Sequence, residues 1–312
     1  MKDGYNRSIN YMRLSVTDKC NYKCRYCVSD NCSKLQNELS FDELYNICVA
    51  AVDCGVNKIR ITGGEPLVRK GVVGFCDRLS KLSGVKELAL TTNGSLLKKY
   101  AFDLKRAGVN RLNVSLDTLS SDKFKSITQV DDLQNVLEGL EKVQSCGFEK
   151  IKINVVLMKG VNNDEIADFV KLTKDNNFSV RFIELMPIGN PSFDCNKHYI
   201  STDSVLDAVP ELDRVSFDGV AQTYKINGYK GSIGLIRPIS GKFCDVCNRI
   251  RVTADGKLKP CLYSDDEYDL KNLDHDMLVS TISRAIKDKP LAHNFGNSCG
   301  EITHRNMNQI GG

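Results

Sequence analysis

Between Tyr11 and Glu184 short apolar runs alternate with amphipathic stretches, and this alternation restricts the fold more than any other feature of the chain. Strands are expected at Met12 to Val16, Lys58 to Thr62, Glu87 to Thr91, Arg111 to Ser115, Lys150 to Val156 and Ser179 to Glu184. Between them Phe41 to Cys54, Val72 to Leu82, Leu96 to Ala107, Leu133 to Cys146 and Asn163 to Asp175 show helical spacing, several behind Ser, Asp or Asn caps. Repeated strand-helix units imply a parallel sheet, because parallel neighbours need a crossover and a helix is the usual one. Six such strands can form an open doubly wound sheet or a partial barrel. In both, ligands bind beyond the carboxyl ends of the strands.

After Met186 the pattern changes. Pro187, Gly189 and Pro191 break the alternation, and hairpin signals follow at Asn227-Gly228 and Asp255-Gly256. A boundary within residues 187–203 is expected, dividing the chain into residues 1–200 and a smaller mixed α+β unit of residues 201–312. A two-residue turn at Asp255-Gly256 would pair Ala254 with Lys257 and set Cys261 opposite Ile250, near Cys247. Leu278 to Lys289 reads as one helix before an irregular tail ending in Gly311 and Gly312.

The N-terminal segment has no apolar core, and no run of eighteen apolar residues occurs, so a cytoplasmic protein without a membrane partner is expected. In that setting thirteen Cys point to metal binding or buried packing, since cytosolic thiols stay reduced. The 43 basic and 39 acidic residues are mixed along the chain, which gives no nucleic-acid surface, so any anion site must be local.

Cys20, Cys24 and Cys27 form C-x3-C-x2-C directly after the first strand, three thiolates on one loop that suit three irons of a 4Fe-4S cubane and leave the fourth open. The same spacing also describes a buried helical stripe, but Thr17, Asp18, Lys19, Asn21, Lys23 and Arg25 favour a loop. The motif resembles the cluster loop of the radical S-adenosylmethionine (SAM) superfamily. That resemblance implies that SAM chelates the open iron and is cleaved to methionine and a 5'-deoxyadenosyl radical. Thr62-Gly63-Gly64-Glu65-Pro66 resembles the superfamily's GGEP element, in which Gly63 and Gly64 allow close backbone approach and Glu65 would hold the SAM ammonium.

Cys244, Cys247 and Cys261 form C-x2-C-x13-C, a spacing that suits a second cluster and a zinc site completed by Cys299 or a His equally well. The run from Phe243 to Leu262 resembles the C-terminal cluster segment of the GTP 3',8-cyclase family of molybdenum cofactor biosynthesis. So do the segments beginning at Arg13, Arg60, Thr91, Asn113, Lys152 and Phe182 and the terminal Ile310-Gly-Gly. This resemblance implies a partial (β/α)6 barrel whose small C-terminal unit holds a second 4Fe-4S cluster. It implies Tyr26, Gly64, Ser115 and Met186 beside SAM, and Arg13, Arg60, Thr91, Lys152, Arg249, Ile250 and Arg251 on GTP. Gly311 and Gly312 would help position the nucleotide. The implied reaction converts GTP to (8S)-3',8-cyclo-7,8-dihydroguanosine 5'-triphosphate, with a low-potential electron donor upstream and a cyclic pyranopterin monophosphate synthase downstream, in a monomer or homodimer.

The chain departs from that family where the third cysteine is usually followed by Met-Pro and a nearby Gly. Here Val28, Ser29 and Asp30 follow, with an extra Cys32, read as an inert thiol. Cys48, Cys54, Cys76 and Cys146 fit helix faces and read as structural. Two other functions compete. A radical SAM peptide-modifying enzyme would also carry a C-terminal cluster, but Asn248-Arg249-Ile250-Arg251 and the terminal Gly-Gly favour the cyclase. An iron-sulfur electron carrier or sensor would leave Gly63-Gly64-Glu65 and Ser115 unexplained.

Overall fold

The computed structural model describes residues 1–28, 37–190, 192–293 and 305–311. Ser29, Asp30, Cys32, Pro191, Cys299 and Gly312 lie outside the described residues. The six strands expected from periodicity are present as β1 (Tyr11–Ser15), β2 (Lys58–Thr62), β3 (Glu87–Thr92), β4 (Arg111–Ser115), β5 (Lys150–Leu157) and β6 (Phe178–Glu184). They are followed by β7 (Asp213–Asp218), β8 (Ala221–Lys225), β9 (Ser232–Ile236), β10 (Arg249–Val252), β11 (Lys257–Lys259) and β12 (Tyr268–Asp269). The helices are α1 (Phe41–Asp53), α2 (Val72–Ser80), α3 (Leu97–Arg106), α4 (Ser121–Thr128), α5 (Leu133–Ser145), α6 (Ile166–Asp175), α7 (Cys195–His198), α8 (Ser204–Ala208), α9 (His275–Lys287) and α10 (Met307–Ile310).

Local chemistry accounts for the regular elements. Ser40 and Glu43 form a reciprocal capping box at the start of α1, whose apolar stripe buries Leu44, Ile47, Cys48 and Ala51. Cys48, Cys54 and Cys76 are buried packing residues and Cys146 is half-buried after α5, as expected of structural thiols. The sequence reading missed α4, an eight-residue helix between two buried strands, whose inner face is only Phe124, Ile127 and Thr128.

Among the described residues all twelve strands belong to one sheet, in the order β12-β11-β10-β1-β2-β3-β4-β5-β6-β9-β8-β7. Strands β1 to β6 run parallel in sequence order, and β10 and β9 add in parallel to the two outer edges, against β1 and β6. The strands after residue 200 therefore continue the sheet on both sides, and hydrogen bonding runs straight across the boundary suggested by composition. Along each inner strand one parity packs under the helices, as Met12, Leu14, Ile59, Ile61, Leu112, Val114, Val180 and Phe182 do. The opposite parity faces the interior.

One register expectation is corrected. Arg251 pairs with Lys259 and Val252 with Leu258, one residue away from the register of a two-residue turn. Gly256 lies at φ 81° and the Thr253 amide donates to the Lys257 carbonyl at 2.9 Å, so the connection has three residues with Gly256 in the left-handed position. Continued along the ladder, this register places Cys261 beside Arg249 instead of Ile250.

Candidate active site

A cavity of about 390 Å3 opens inside the curved sheet and is lined by all six cysteines of the two motifs, Cys20, Cys24, Cys27, Cys244, Cys247 and Cys261. Both triads therefore face one chamber.

The first triad sits on the loop after β1. This loop packs on the end of β2: the Gly64 amide donates to the Thr17 carbonyl at 2.7 Å and the Glu65 amide to the Lys19 carbonyl at 2.8 Å. A Cβ on Gly64 would lie 2.5 Å from the Lys19 carbonyl oxygen and one on Gly63 would lie 2.7 Å from that of Thr17, so the two glycines allow the loop to seat. On its other side the Lys23 and Arg25 amides donate to Thr128 and Ile127 at the end of α4, both at 3.0 Å. Gly189, at φ 112°, closes the turn after β6 over the carbonyls of Tyr26 and Cys27. Burial pushes the Cys20 thiol up to about 11 and the Cys24 thiol well above its usual range, so an uncompensated thiolate triad is unfavourable there. Coordination to irons removes that penalty.

Glu65, expected to hold the SAM ammonium, is engaged by donors of the protein itself. Its side chain is fully buried and does not line the cavity; its carboxylate accepts from the Leu67 amide (3.0 Å), the Thr92 hydroxyl (2.9 Å) and the Asn93 amide (2.7 Å). Burial still pushes it up to about 7. It fixes the ends of β2 and β3 together. A carboxylate that does face the chamber on the side of the first triad is Asp117, which receives the Tyr26 hydroxyl at 2.7 Å and the Val156 amide at 2.8 Å and is pushed up to about 6 by burial.

The second triad is assembled from separated parts. Cys244 begins a 3-10 turn that ends at Cys247, while Cys261 follows β11. Arg7 ties the turn down by donating to the carbonyls of Cys244 (2.6 Å), Leu291 (2.8 Å) and Pro290 (2.7 Å), with its Nε on Asp3 at 2.6 Å. Lys289 donates to the Pro260 carbonyl at 2.6 Å, beside Cys261. Burial works to raise the Cys247 thiol but is outweighed by Lys289 and Arg249, which hold it below its usual value. Among the described residues no three ligand side chains converge as on a single ion. A cubane asks for less convergence, since each thiolate binds its own iron.

Between the triads the wall is cationic. Arg13, Arg60, Lys152, Arg249 and Arg251 line it, with Thr91, and Lys58, Arg111 and Arg181 join them. Arg251 and Lys152 are 5% and 4% exposed. Burial and then the Arg249 charge bring Arg251 down to about 10; burial, Arg181 and Arg111 bring Lys152 down to about 7. Asp218, at the tip of the β7–β8 hairpin, pairs with Lys152 and Arg181, both at 2.5 Å, without offsetting that repulsion at Lys152. Desolvated like charges cost several kcal/mol each unless an anion compensates them. The buried Nε atoms of Arg60, Arg111, Arg181 and Arg249 and the Thr91 hydroxyl have no hydrogen-bond partner among the described residues. This donor set fits a polyanion.

Tyr26, Gly63, Gly64, Ser115 and Met186 also line the cavity. Ile250 does not: it is fully buried in the helix-facing core, so its expected role on substrate is not that of its side chain. Gly311 enters the interior at φ 81°, where a Cβ would clash with the Thr62 hydroxyl, and its carbonyl accepts from Arg251 at 3.0 Å. Sequence reasoning missed Lys58, Arg111, Arg181, Asp117 and Asp218. The first three share the strand parity of Arg60, Asn113 and Ile183, so listing alternate residues along the expected strands would have found them.

Residues 14–173 match the Radical SAM superfamily and residues 178–295 match Molybdenum Cofactor Synthesis C. The chain is 48% identical to a GTP 3',8-cyclase of Peptoclostridium acidaminophilum over 99% of this chain and 98% of that protein. It is 44% identical to one of Alkaliphilus metalliredigens over the whole of both. Among solved structures, native anSMEcpe with bound AdoMet superposes with TM-score 0.60 at 16% identity, covering 89% of this chain and 82% of the other. Streptococcus suis SuiB bound to S-adenosylmethionine gives 0.58 at 18%, covering 89% and 67%. These two likenesses are of fold.

Proposed function

The chain belongs to the GTP 3',8-cyclase family, and from that premise we infer how its cavity divides the work of a radical SAM enzyme that acts on GTP in molybdenum cofactor synthesis. The observation that carries the reading is the single chamber in which two cysteine triads flank a wall of buried guanidinium groups. The cofactors are SAM and two 4Fe-4S clusters. Cys20, Cys24 and Cys27 would hold one cluster and Cys244, Cys247 and Cys261 the other, with zinc set aside by family. When bound, the first cluster supplies the electron that cleaves SAM to methionine and a 5'-deoxyadenosyl radical.

The chain's own residues bind and orient. Tyr26, Gly63, Gly64, Ser115 and Met186 shape the SAM side, and Asp117 holds the Tyr26 hydroxyl in place. A triphosphate carries roughly four negative charges, and guanidinium forks engage its oxygens bidentately. Arg13, Arg60, Arg249 and Arg251 on three adjacent strands supply such forks, with Lys152 opposite and the Thr91 hydroxyl available as a further donor. Held there, the ribose and base of the nucleotide lie between the two triads, where the ribose 3'-hydrogen can be removed and the ribose carbon can attack guanine C8. Gly311, whose missing side chain leaves space beside Thr62, would help position the nucleotide.

The peptide-modifying alternative rested on the C-terminal cluster alone. The full-length relatives are named for a nucleotide cyclase, whereas the resemblance to SuiB is one of fold. The product would pass to a cyclic pyranopterin monophosphate synthase. No described helix is long and apolar enough to cross a membrane, in keeping with a cytoplasmic enzyme. The test is an anaerobic reaction of the reconstituted protein with GTP, SAM and a strong reductant. Formation of 5'-deoxyadenosine together with cyclised nucleotide is expected; 5'-deoxyadenosine without any GTP-derived product would sink the assignment of substrate.

A further inference from the structure

Arg305 lies where the described chain resumes, directly before α10 and Gly311. Its guanidinium grips two carboxylates at once. Nε and Nη2 donate to Glu267 at 2.5 and 2.8 Å, while Nη1 and Nη2 donate to Asp255 at 3.1 and 3.0 Å. All three side chains are largely sheltered, at 16%, 15% and 23% exposure. Isolated surface ion pairs contribute little, but a sheltered double fork fixes direction as well as distance. Asp255 is itself held by the Thr253 hydroxyl at 2.6 Å, in the turn that joins β10 to β11. The base of the clasp is therefore the hairpin that carries Arg249, Arg251 and the approach to Cys261.

Beyond the clasp the tail is short and braced. Asn306 and Gln309 form a reciprocal capping box on α10. The Met307 amide donates to the Cys27 carbonyl at 3.3 Å and the Asn308 side chain to the Asp18 carbonyl at 2.9 Å, both on the first cysteine loop. The Gly311 carbonyl then accepts from Arg251. A lever only a few residues long transmits any tilt at its base to its tip, and an ångström of displacement at a reacting group can cost about a hundredfold.

We propose that Arg305 is a positioning residue that aims the carboxyl-terminal tail at the nucleotide by clasping it to the β10–β11 turn, so that radical generation and cyclisation stay coupled. This rests on the reading of the tail as a nucleotide-positioning element.

The test compares full-length protein, Arg305→Gln, Asp255→Asn and a chain lacking Gly311 and Gly312, all reconstituted anaerobically. Cyclised nucleotide formed per 5'-deoxyadenosine is measured together with amide exchange over residues 307–311 in the metal-free protein. Arg305→Gln is expected to lower that ratio about tenfold, with 5'-deoxyadenosine formation within about twofold of the parent and tail exchange about tenfold faster. Asp255→Asn, which leaves the Glu267 half of the grip, should give a smaller change in the same direction. If the truncated chain loses coupling while Arg305→Gln and Asp255→Asn keep it, the clasp is overturned and the tail reading stands. If the truncated chain itself keeps coupling, the tail reading fails. Parallel loss of both products in the two point variants, with unchanged tail exchange, means Arg305 serves stability alone and also overturns the proposal.

Discussion

The two cysteine sites reach the same cavity by opposite routes. Cys20, Cys24 and Cys27 lie within one loop, fixed by backbone contacts to Gly64, Glu65 and the end of α4. Cys244, Cys247 and Cys261 come from a 3-10 turn and a strand end, and they are held by side chains from far away: Arg7 from the N-terminus and Lys289 from beyond α9. A local loop is fixed by its neighbours' lack of side chains, whereas a dispersed site is fixed by long polar side chains that reach it. The first is therefore intolerant of added atoms and the second of removed ones.

The largest contrast is in the ligands themselves. Cys24→Ala is expected to abolish SAM cleavage, while Cys261→Ala retains measurable 5'-deoxyadenosine formation and loses cyclised nucleotide. Quantifying both products in each variant checks this, and the reverse ranking would mean the roles are swapped. Iron content should fall from about eight per chain to about four in each.

Next come the glycines. Gly64→Ala places a methyl 2.5 Å from a backbone oxygen that cannot move alone, and should cost about 3 kcal/mol or more together with SAM binding. Gly256→Ala at φ 81° meets the flexible Leu39 side chain at 2.9 Å and should cost about 1–2 kcal/mol. Denaturant unfolding of the two variants measures the gap; equal losses would dissolve the distinction between a backbone-tight and a side-chain-tied site.

Arg251→Lys keeps the charge but not the fork, and should weaken GTP binding about tenfold in equilibrium titration while SAM binding is unchanged. The smallest effect concerns Lys152, lowered to about 7. It is charged below that pH and neutral above it, so at higher pH Lys152 takes up a proton when a triphosphate binds. GTP affinity should therefore fall as pH rises from 6 to 8, by up to about tenfold per pH unit above 7, and Lys152→Arg should flatten the dependence. A flat parent profile would show that Asp218 keeps Lys152 charged throughout.

The strand-helix alternation determined β1 to β6 and five crossover helices nearly to the residue, because each element's apolar period is a local property of its own segment. The first cysteine loop was equally legible, its ligands, glycines and strand ends being contiguous. Legibility failed where partners are remote. Nothing local to Ser232–Ile236 or Arg249–Val252 announces that these strands add in parallel to opposite edges of the sheet. The one-residue correction at Gly256 depended on the three-residue turn closed by Thr253. Glu65 reads as a ligand because its motif is a loop motif, yet Thr92 at the end of β3 and Asn93 just beyond it engage its carboxylate. Arg7, Lys289 and Arg305 carry no signal in their own neighbourhoods, since each acts on groups that only folding brings near. Sequence by itself determined the periodic elements and the contiguous thiolate loop. Tertiary structure decided which strands border the chamber, how the guanidinium groups converge and where the tail points, because those depend on pairing across long separations that no local pattern encodes.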